Sequence, residues 1–239
     1  MIYDLADLRV NIRNEYAYTD RFCAKYLSLD QDAPYDLTAA PDPEDFENEK
    51  TASAGFPIPY IENICIYRNL CLQLPEYDRM LLHAAVLEAD GAGYAFLGRS
   101  GTGKSTHTGL WLQFIEGSKI INGDKPVLHF AEDEVYAFGT PWMGKEGRGC
   151  NAKTPLKALV FLEQAKVNEI RRLTPAETAM KLFTQILLPT DEKNAEKTLA
   201  LADQLVMRVP AFVLGCTISE EAVQVCYEAV TGKKYIKKI

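Results

Sequence analysis

Eight residues near the middle of the chain combine three glycines with a lysine and hydroxyl side chains. They run from Gly98 to Ser105 in the pattern GxxxxGK[ST]. Because glycine has no Cβ, successive backbone N–H groups can turn inward around phosphate oxygens. Lys104 would then reach the outer phosphates, and the Ser105 hydroxyl would ligate the Mg²⁺ that accompanies them. We therefore predict a phosphate-binding loop formed by Gly98, Ser100, Gly101, Thr102, Gly103, Lys104, Ser105 and Thr106.

The residues on either side of this loop favour the same interpretation. Tyr94–Leu97 has the composition of a buried strand, and a helical pattern follows the loop. A helix that begins at the loop would direct its free N–H groups and the positive end of its dipole at the phosphates. A glycine-rich turn without a ligand would leave the lysine and the three glycines unexplained. The sequence therefore predicts nucleotide binding.

A second candidate residue is Asp124. Phosphoryl transfer requires a carboxylate that helps to hold Mg²⁺ and a group that orients or deprotonates the acceptor. Asp124 follows a short apolar strand, residues 119–121, and lies about 20 residues after Lys104, at a strand end where ligand-facing groups occur in α/β sheets. Residues 122–124 are also favourable turn residues, so a purely structural turn aspartate is the alternative.

The segment 139–153 contains four glycines and three cationic residues. This composition suits a mobile loop that closes over phosphates or over an acceptor. Arg148 or Lys145 could neutralise charge on the transferred group. The alternative is an ordinary solvated surface loop.

A hairpin is predicted ahead of the phosphate-binding loop. Residues 82–87 and 94–97 flank Asp90-Gly91, a strong hairpin turn signal. A two-residue turn would place His83 opposite Gly98, and a four-residue turn would place it opposite Ser100. Either register brings His83 beside the phosphates. A second histidine, His107, shares the apolar face of the following helix, which favours packing over ligand binding.

The other elements are predicted from periodicity, caps and turn residues. We expect a helix that starts at Asp42 and a loop over 51–59. Further along the chain, we expect an antiparallel hairpin of strands 127–130 and 135–138. Further strands are expected at 8–13, 156–162 and 211–214, and further helices at 20–26, 60–74, 175–188, 192–206 and from Ser219 onward.

Four segments together resemble the HPr kinase/phosphorylase family, which is related to ATP-dependent phosphoenolpyruvate carboxykinases. They are residues 83–85, 98–105, 122–124 and 146–149, and the resemblance covers about residues 80–165. It implies an α/β fold with a mixed sheet, a hairpin ahead of the phosphate-binding loop and flanking helices. We expect residues 80–239 to form this nucleotide-binding kinase core and residues 1–79 to form an α/β layer packed on it.

The resemblance also implies roles for individual residues. Lys104 and Ser105 would hold phosphates and Mg²⁺, and His83 would lie near the transferred phosphoryl group. Asp124 would match the family's acidic pair, and Arg148 its arginine-glycine signature. The family has two adjacent aspartates where this chain has one. Asp124 must therefore serve as both base and metal ligand, or another residue substitutes, or catalysis is weakened.

Composition narrows the class of protein further. The 239 residues carry a net charge of −7, which argues against a general nucleic-acid or anionic-membrane binder. No apolar stretch is long enough to span a bilayer, no leader is evident, and the six cysteines include no CxxC pair. We therefore expect reduced thiols and a cytoplasmic location.

These observations predict an ATP- and Mg²⁺-dependent kinase that acts on the hydroxyl of a small molecule or of a serine-like acceptor. HPr itself is not the expected acceptor, because the first 80 residues do not resemble the N-terminal domain of HPr kinases. The alternatives are a regulatory protein that binds nucleotide without transfer and a peptide-modifying serine kinase of a biosynthetic pathway. The sequence is compatible with a homo-oligomer but does not determine the oligomeric state.

Overall fold

The computed structural model describes residues 1–237, which form a mixed α/β structure. The strands are β1 (Ile2–Leu5), β2 (Leu8–Ile12), β3 (Leu37–Ala39), β4 (Arg79–Leu81), β5 (Ala84–Ala89), β6 (Ala92–Leu97), β7 (Lys119–Asn122), β8 (Val127–Phe130), β9 (Val135–Phe138), β10 (Lys153–Gln164), β11 (Glu169–Arg172) and β12 (Ala211–Cys216). The helices are α1 (Ala17–Phe22), α2 (Pro43–Ala52), α3 (Ile58–Gln73), α4 (Lys104–Phe114), α5 (Pro175–Leu182), α6 (Glu192–Arg208) and α7 (Glu220–Thr231). The expectation of an α/β fold with a mixed sheet is therefore confirmed.

Across the described residues 1–237, nine strands form the large sheet, and its centre is the long strand β10. Seven of them follow the order β4-β8-β9-β10-β6-β5-β7, while β12 pairs with both β10 and β11. β10 runs parallel to β6 and β12 but antiparallel to β9, so the sheet is mixed. β5 and β6 are antiparallel and are joined at Asp90-Gly91, where both residues have positive φ, as a tight hairpin turn requires.

The large sheet is covered by helices on both faces. Successive residues of β6 alternate between the two sides, as the two-residue period of a strand dictates. Ala95 and Leu97 belong to a buried cluster that includes residues of α5 and α6. Tyr94 and Phe96 pack instead in a cluster with residues of α4 and α7. This burial fixes the direction in which β6 leads into the loop at residues 98–103.

The N-terminal third adds a three-stranded sheet of order β1-β2-β3. Its apolar residues share one buried cluster with residues of α3, β8 and β9 and with Trp142 and Met143. The Trp142 indole Nε1 donates a hydrogen bond of 3.0 Å to Asn63 Oδ1 on α3. The N-terminal elements therefore help to support the segment that follows β9.

Several local predictions are confirmed. Asp42 caps α2 by accepting a hydrogen bond from the Asp45 N–H, and Ser219 caps α7 in the same way through the Ala222 N–H. Other predictions are wrong in detail. Asp20 lies within α1 and does not begin a helix, and the predicted loop 51–59 already contains the start of α3.

The structure also corrects the region after β10. α5 ends at Leu182, six residues before the predicted end, and the strand β11 was not expected. β11 is mostly exposed, so it lacks the apolar pattern that identifies a buried strand. Over residues 1–237, no helix has both the length and the apolar character needed to cross a membrane.

Candidate functional site

The glycine-rich loop connects the end of β6 to the start of α4. Gly98, Gly101 and Gly103 have φ values of +150°, +81° and +112°. A Cβ at position 101 or 103 would meet no heavy atom within 4 Å, so the backbone conformation, and not crowding, is what favours glycine there. Arg99 and Ser100 at the tip are exposed. The loop therefore presents its main chain to solvent directly ahead of a helix N-terminus.

Lys104 is the first residue of α4, and its side chain folds back across the loop. It is 92% buried, and its Nζ donates a hydrogen bond of 2.8 Å to the Gly98 carbonyl. Burial lowers its pKa, although the nearby Asp124 carboxylate opposes that effect. Within the loop, the Thr102 hydroxyl donates to the Arg99 carbonyl at 2.6 Å. Lys104 is thus a desolvated cation held at the opening of the loop.

His83 lies next to this cation, at the residue before β5. The pairing of Ala84 with Leu97 matches the two-residue turn and places His83 level with Gly98. The backbone N–H of His83 donates to the Gln185 carbonyl at 2.8 Å. Its Nε2 lies 3.5 Å from Lys104 Nζ and 3.1 Å from Asp124 Oδ1.

Asp124 is held in place by the turn that follows β7. The backbone N–H groups of Asp124 and Lys125 both donate to Asn122 Oδ1, at 2.9 and 2.7 Å. Asn122 is fully buried and donates in turn to Thr140. The Asp124 carbonyl accepts from the Ala84 N–H. Asp124 is therefore a turn residue, as the structural alternative proposed, and its carboxylate also faces His83.

Asp124 remains an anion at neutral pH. Burial alone would raise its pKa, but the hydrogen bond from His83 and the charge of Lys125 outweigh burial and lower the pKa to about 2. Lys125 Nζ lies 3.1 Å from Asp124 Oδ2. The site thus joins Lys104, His83, Asp124 and Lys125 at one end of the sheet.

The segment that follows β9 is anchored at both ends against β7. A Cβ at Gly139 would lie 1.8 Å from the Cys150 carbonyl oxygen, and the Cys150 N–H donates to the Ile121 carbonyl. Residues 140–143 are buried, and residues 144–148 form an exposed tip. This tip matches the solvent-accessible loop that the composition of residues 139–153 suggests, whereas residues 140–143 do not.

Two glycine positions relate this tip to the site. An ideal Cβ at Gly144 would be 3.0 Å from Asp124 Cβ. An ideal Cβ at Gly109 would be 3.8 Å from Arg148 Nη1, so the Arg148 guanidinium lies against α4. Gly109 lies one helical turn after Ser105 on α4. The structure thus brings Arg148 to α4, while Lys145 is exposed and makes no hydrogen bond or ion pair within residues 1–237.

His107 has the packing role that its position predicted. It is 97% buried and its Nε2 accepts a hydrogen bond of 3.1 Å from Trp111 Nε1. Burial lowers its pKa to about 4, so it is neutral in the folded protein.

A cavity of about 250 Å³ opens beside His83 and Lys125, and sequence reasoning missed it. Its walls come from α3, from β4 and from residues 184–187. These segments are far apart along the chain and carry no common motif, so no local signal could have identified the cavity.

No family model matches the chain, and no curated protein matches it. One solved structure that the chain matches is the HPr(Ser) kinase/phosphatase from Coxiella burnetii. The match has 12% sequence identity and a TM-score of 0.28, and it covers 54% of this chain and 90% of that chain. It is a distant structural similarity.

Proposed function

We propose that the protein is a kinase that transfers the γ-phosphoryl group of ATP to a hydroxyl group. One observation carries the proposal. Lys104, His83 and the ionised Asp124 meet at the opening of a glycine loop that leads into α4. The proposed core is of the HPr kinase type and spans residues 80–239, with residues 1–79 as a supporting layer.

Phosphate binding follows from the loop and the helix. The first N–H groups of α4 have no partner within the helix, and its dipole favours an anion at this end. Lys104 already lies across the loop, where its charge would stabilise phosphate oxygens during transfer. Arg148, which lies against α4 at Gly109, would contribute a second positive charge.

The donor groups of the site also fit Mg²⁺. Among residues 1–237 no group of three or more His, Cys, Asp or Glu side chains could hold a metal alone. Mg²⁺ commonly uses one or two protein oxygen ligands together with substrate phosphates and water. Asp124 and the Ser105 hydroxyl would hold it, and the ion would neutralise charge on the phosphates.

We assign His83 as the general base that accepts the proton of the acceptor hydroxyl. With a pKa of about 2, Asp124 is a weak base at neutral pH. When Nε2–H of His83 donates to Asp124, the other ring nitrogen, Nδ1, carries the lone pair. Asp124 would then orient His83, and His83 would accept the hydroxyl proton. This assignment adopts the alternative in which another residue substitutes as the base and Asp124 remains the metal ligand.

A second candidate function is regulation by nucleotide binding without transfer. It is favoured by the fact that both Asp124 oxygens already have partners, His83 and Lys125. The two functions differ in whether bound ATP is consumed.

The test compares Lys104→Met with Lys166→Met, an exposed lysine on the loop after β10. Mg-ATP binding is measured by calorimetry and phosphoryl transfer with γ-labelled ATP. We expect Lys104→Met to lower transfer by about 10²- to 10³-fold and Lys166→Met to match wild type. Wild-type turnover in Lys104→Met would refute the proposal. Tight ATP binding with no transfer to any acceptor would favour the regulatory function.

A further inference from the structure

The cavity beside His83 has a predominantly apolar wall. Ile64 on α3, Leu81 on β4 and Ile186 and Leu187 after α5 contribute to it, and His83 is part of its lining. Its volume of about 250 Å³ corresponds to about eight water molecules at ~30 Å³ each. A molecule of roughly that many non-hydrogen atoms would fill it.

One polar side chain in the wall lacks a partner. Gln185 is 94% buried, and its Oε1 accepts no hydrogen bond from any part of the chain that the structure describes. The orientation of its amide is fixed, because Nε2 donates to Thr184 Oγ1 at 2.9 Å and that hydroxyl donates to the Lys181 carbonyl. A buried acceptor without a partner is costly, so a donor supplied by a ligand would be favourable here.

Tyr67 also lines the cavity, and its hydroxyl is buried. It makes no hydrogen bond of ordinary geometry within residues 1–237. Burial raises its pKa well above the usual range, and the nearby Cys71 thiol and Asp124 charge act in the same direction. Tyr67 is therefore a neutral donor that could serve an anionic ligand group.

Within residues 1–237, the cavity lining contains one cation that is available to a ligand. The Lys125 ammonium contacts Asp124 Oδ2, and its other N–H groups can donate to a ligand. Arg68 lines the cavity as well, but its guanidinium is held by both Asp45 and Glu49. The positive charge available to a ligand is therefore at Lys125, next to the proposed base His83.

We propose that this cavity binds the phosphoryl acceptor and that the acceptor is a small hydroxy amino acid. The amino group would donate to Gln185 Oε1, the carboxylate would accept from Lys125 and Tyr67, and the hydroxyl would face His83. The assignment rests on the proposed kinase function. The hydroxyl oxygen forms a bond to the γ-phosphorus while the bond from that phosphorus to the β–γ bridging oxygen breaks. The hydroxyl proton passes to His83, and the products are ADP and a phosphomonoester.

The test is a calorimetric titration of the full chain with L-serine and L-homoserine, with and without ADP and Mg²⁺. The comparison ligands are 3-hydroxypropionate, which lacks the amine, ethanolamine, which lacks the carboxylate, and the peptide Gly-Ser-Gly. We expect an amino acid to bind, and each comparison ligand to bind at least tenfold more weakly.

Gln185→Leu removes the unpartnered acceptor, and Gln224→Leu, an exposed glutamine on α7, is its control. We expect Gln185→Leu to weaken amino acid binding at least tenfold. Its Tm should change little, because the variant loses the Nε2 hydrogen bond to Thr184 but also removes the buried, unpartnered Oε1. Gln224→Leu should bind as wild type does. Equal binding by Gln185→Leu and wild type, tighter binding of the peptide, or no amino acid binding in any condition would each overturn the assignment.

Mg-ATP binding by the same samples separates this inference from the kinase proposal. Mg-ATP binding with transfer to another acceptor, but no amino acid binding, would refute only the cavity assignment. Amino acid binding that Gln185→Leu removes, in a protein that binds no Mg-ATP, would refute the kinase and support the cavity as an amino acid site.

Discussion

Substitution of Gly144 by alanine tests whether the position of Asp124 controls turnover. Gly144 has φ +78°, and an added Cβ would lie 3.0 Å from Asp124 Cβ. Carbon atoms pack at about 3.5–4.0 Å, so one of the two groups must move by about 0.5 Å or more. The Asp124 backbone is fixed by Asn122 and by the Ala84 N–H. Because Cβ moves only with its own backbone, relief of this contact must shift either the turn that carries Asp124 or the exposed tip.

Gly147→Ala is the matched control. Gly147 lies in the same tip with φ +59°, and its added Cβ would meet nothing within 4 Å. Both variants should lose about 1 to 2 kcal/mol of unfolding free energy, because alanine is disfavoured in the left-handed region. Only Gly144→Ala also presses on Asp124.

The expected difference lies in kcat. A displacement of about 1 Å at a catalytic group can cost about 10²-fold, so a shift of about 0.5 Å should cost roughly tenfold. The assays are urea denaturation for stability and transfer from γ-labelled ATP for turnover. If Gly144→Ala and Gly147→Ala turn over equally, then either the tip relaxes away from Asp124 or the reaction does not depend on that carboxylate, and the reasoning is wrong.

Three further predictions concern stability. His107 has a pKa of about 4 when folded and about 6.5 when unfolded. As pH drops from 6.5 to 4, the unfolded chain takes up a proton that the folded chain does not, so the free energy of unfolding should fall by about 3 kcal/mol. A His107→Gln variant whose unfolding free energy still fell by that amount in urea denaturation would show that His107 is not the cause. Gly139→Ala should lower the free energy of unfolding, measured by urea denaturation, by about 3 kcal/mol or more, because its Cβ would lie 1.8 Å from the Cys150 oxygen. A loss below about 1 kcal/mol would show that the backbone of this segment shifts to accommodate the methyl group. Asn63→Leu leaves the buried Trp142 N–H without its acceptor and should lower the free energy of unfolding by about 1 to 3 kcal/mol. In the double variant, Trp142→Phe should restore part of that loss. If the losses of the two single variants simply add, the Trp142–Asn63 hydrogen bond does not contribute.

Signals that act over a few residues were sufficient for much of the secondary structure. The caps at Asp42 and Ser219, the turn at Asp90-Gly91 and the helix that begins at Lys104 are all readable from the sequence. Each depends on groups within about four residues, such as a cap hydroxyl or carboxylate, or the φ preference of glycine. The exposed strand β11 was not predicted, because its residues do not alternate between apolar and polar.

The roles within the site depend on contacts between distant segments. The sequence indicated His83, Lys104 and Asp124 as separate candidates, but their mutual distances and the low pKa of Asp124 come from β5, α4 and the β7 turn meeting at one end of the sheet. The glycine-rich segment looked mobile as a whole, yet its ends are anchored in the core.

The sequence by itself determined that a glycine loop with a lysine follows a buried strand and precedes a helix, because those preferences are local. Only the tertiary structure decided that the His83 imidazole shares Asp124 with Lys125 and that a cavity with the unpartnered Gln185 oxygen opens beside them. That outcome depends on how α3, β4 and residues 184–187 pack. Packing between segments about 100 residues apart is set by the burial of whole apolar faces, which no short pattern encodes.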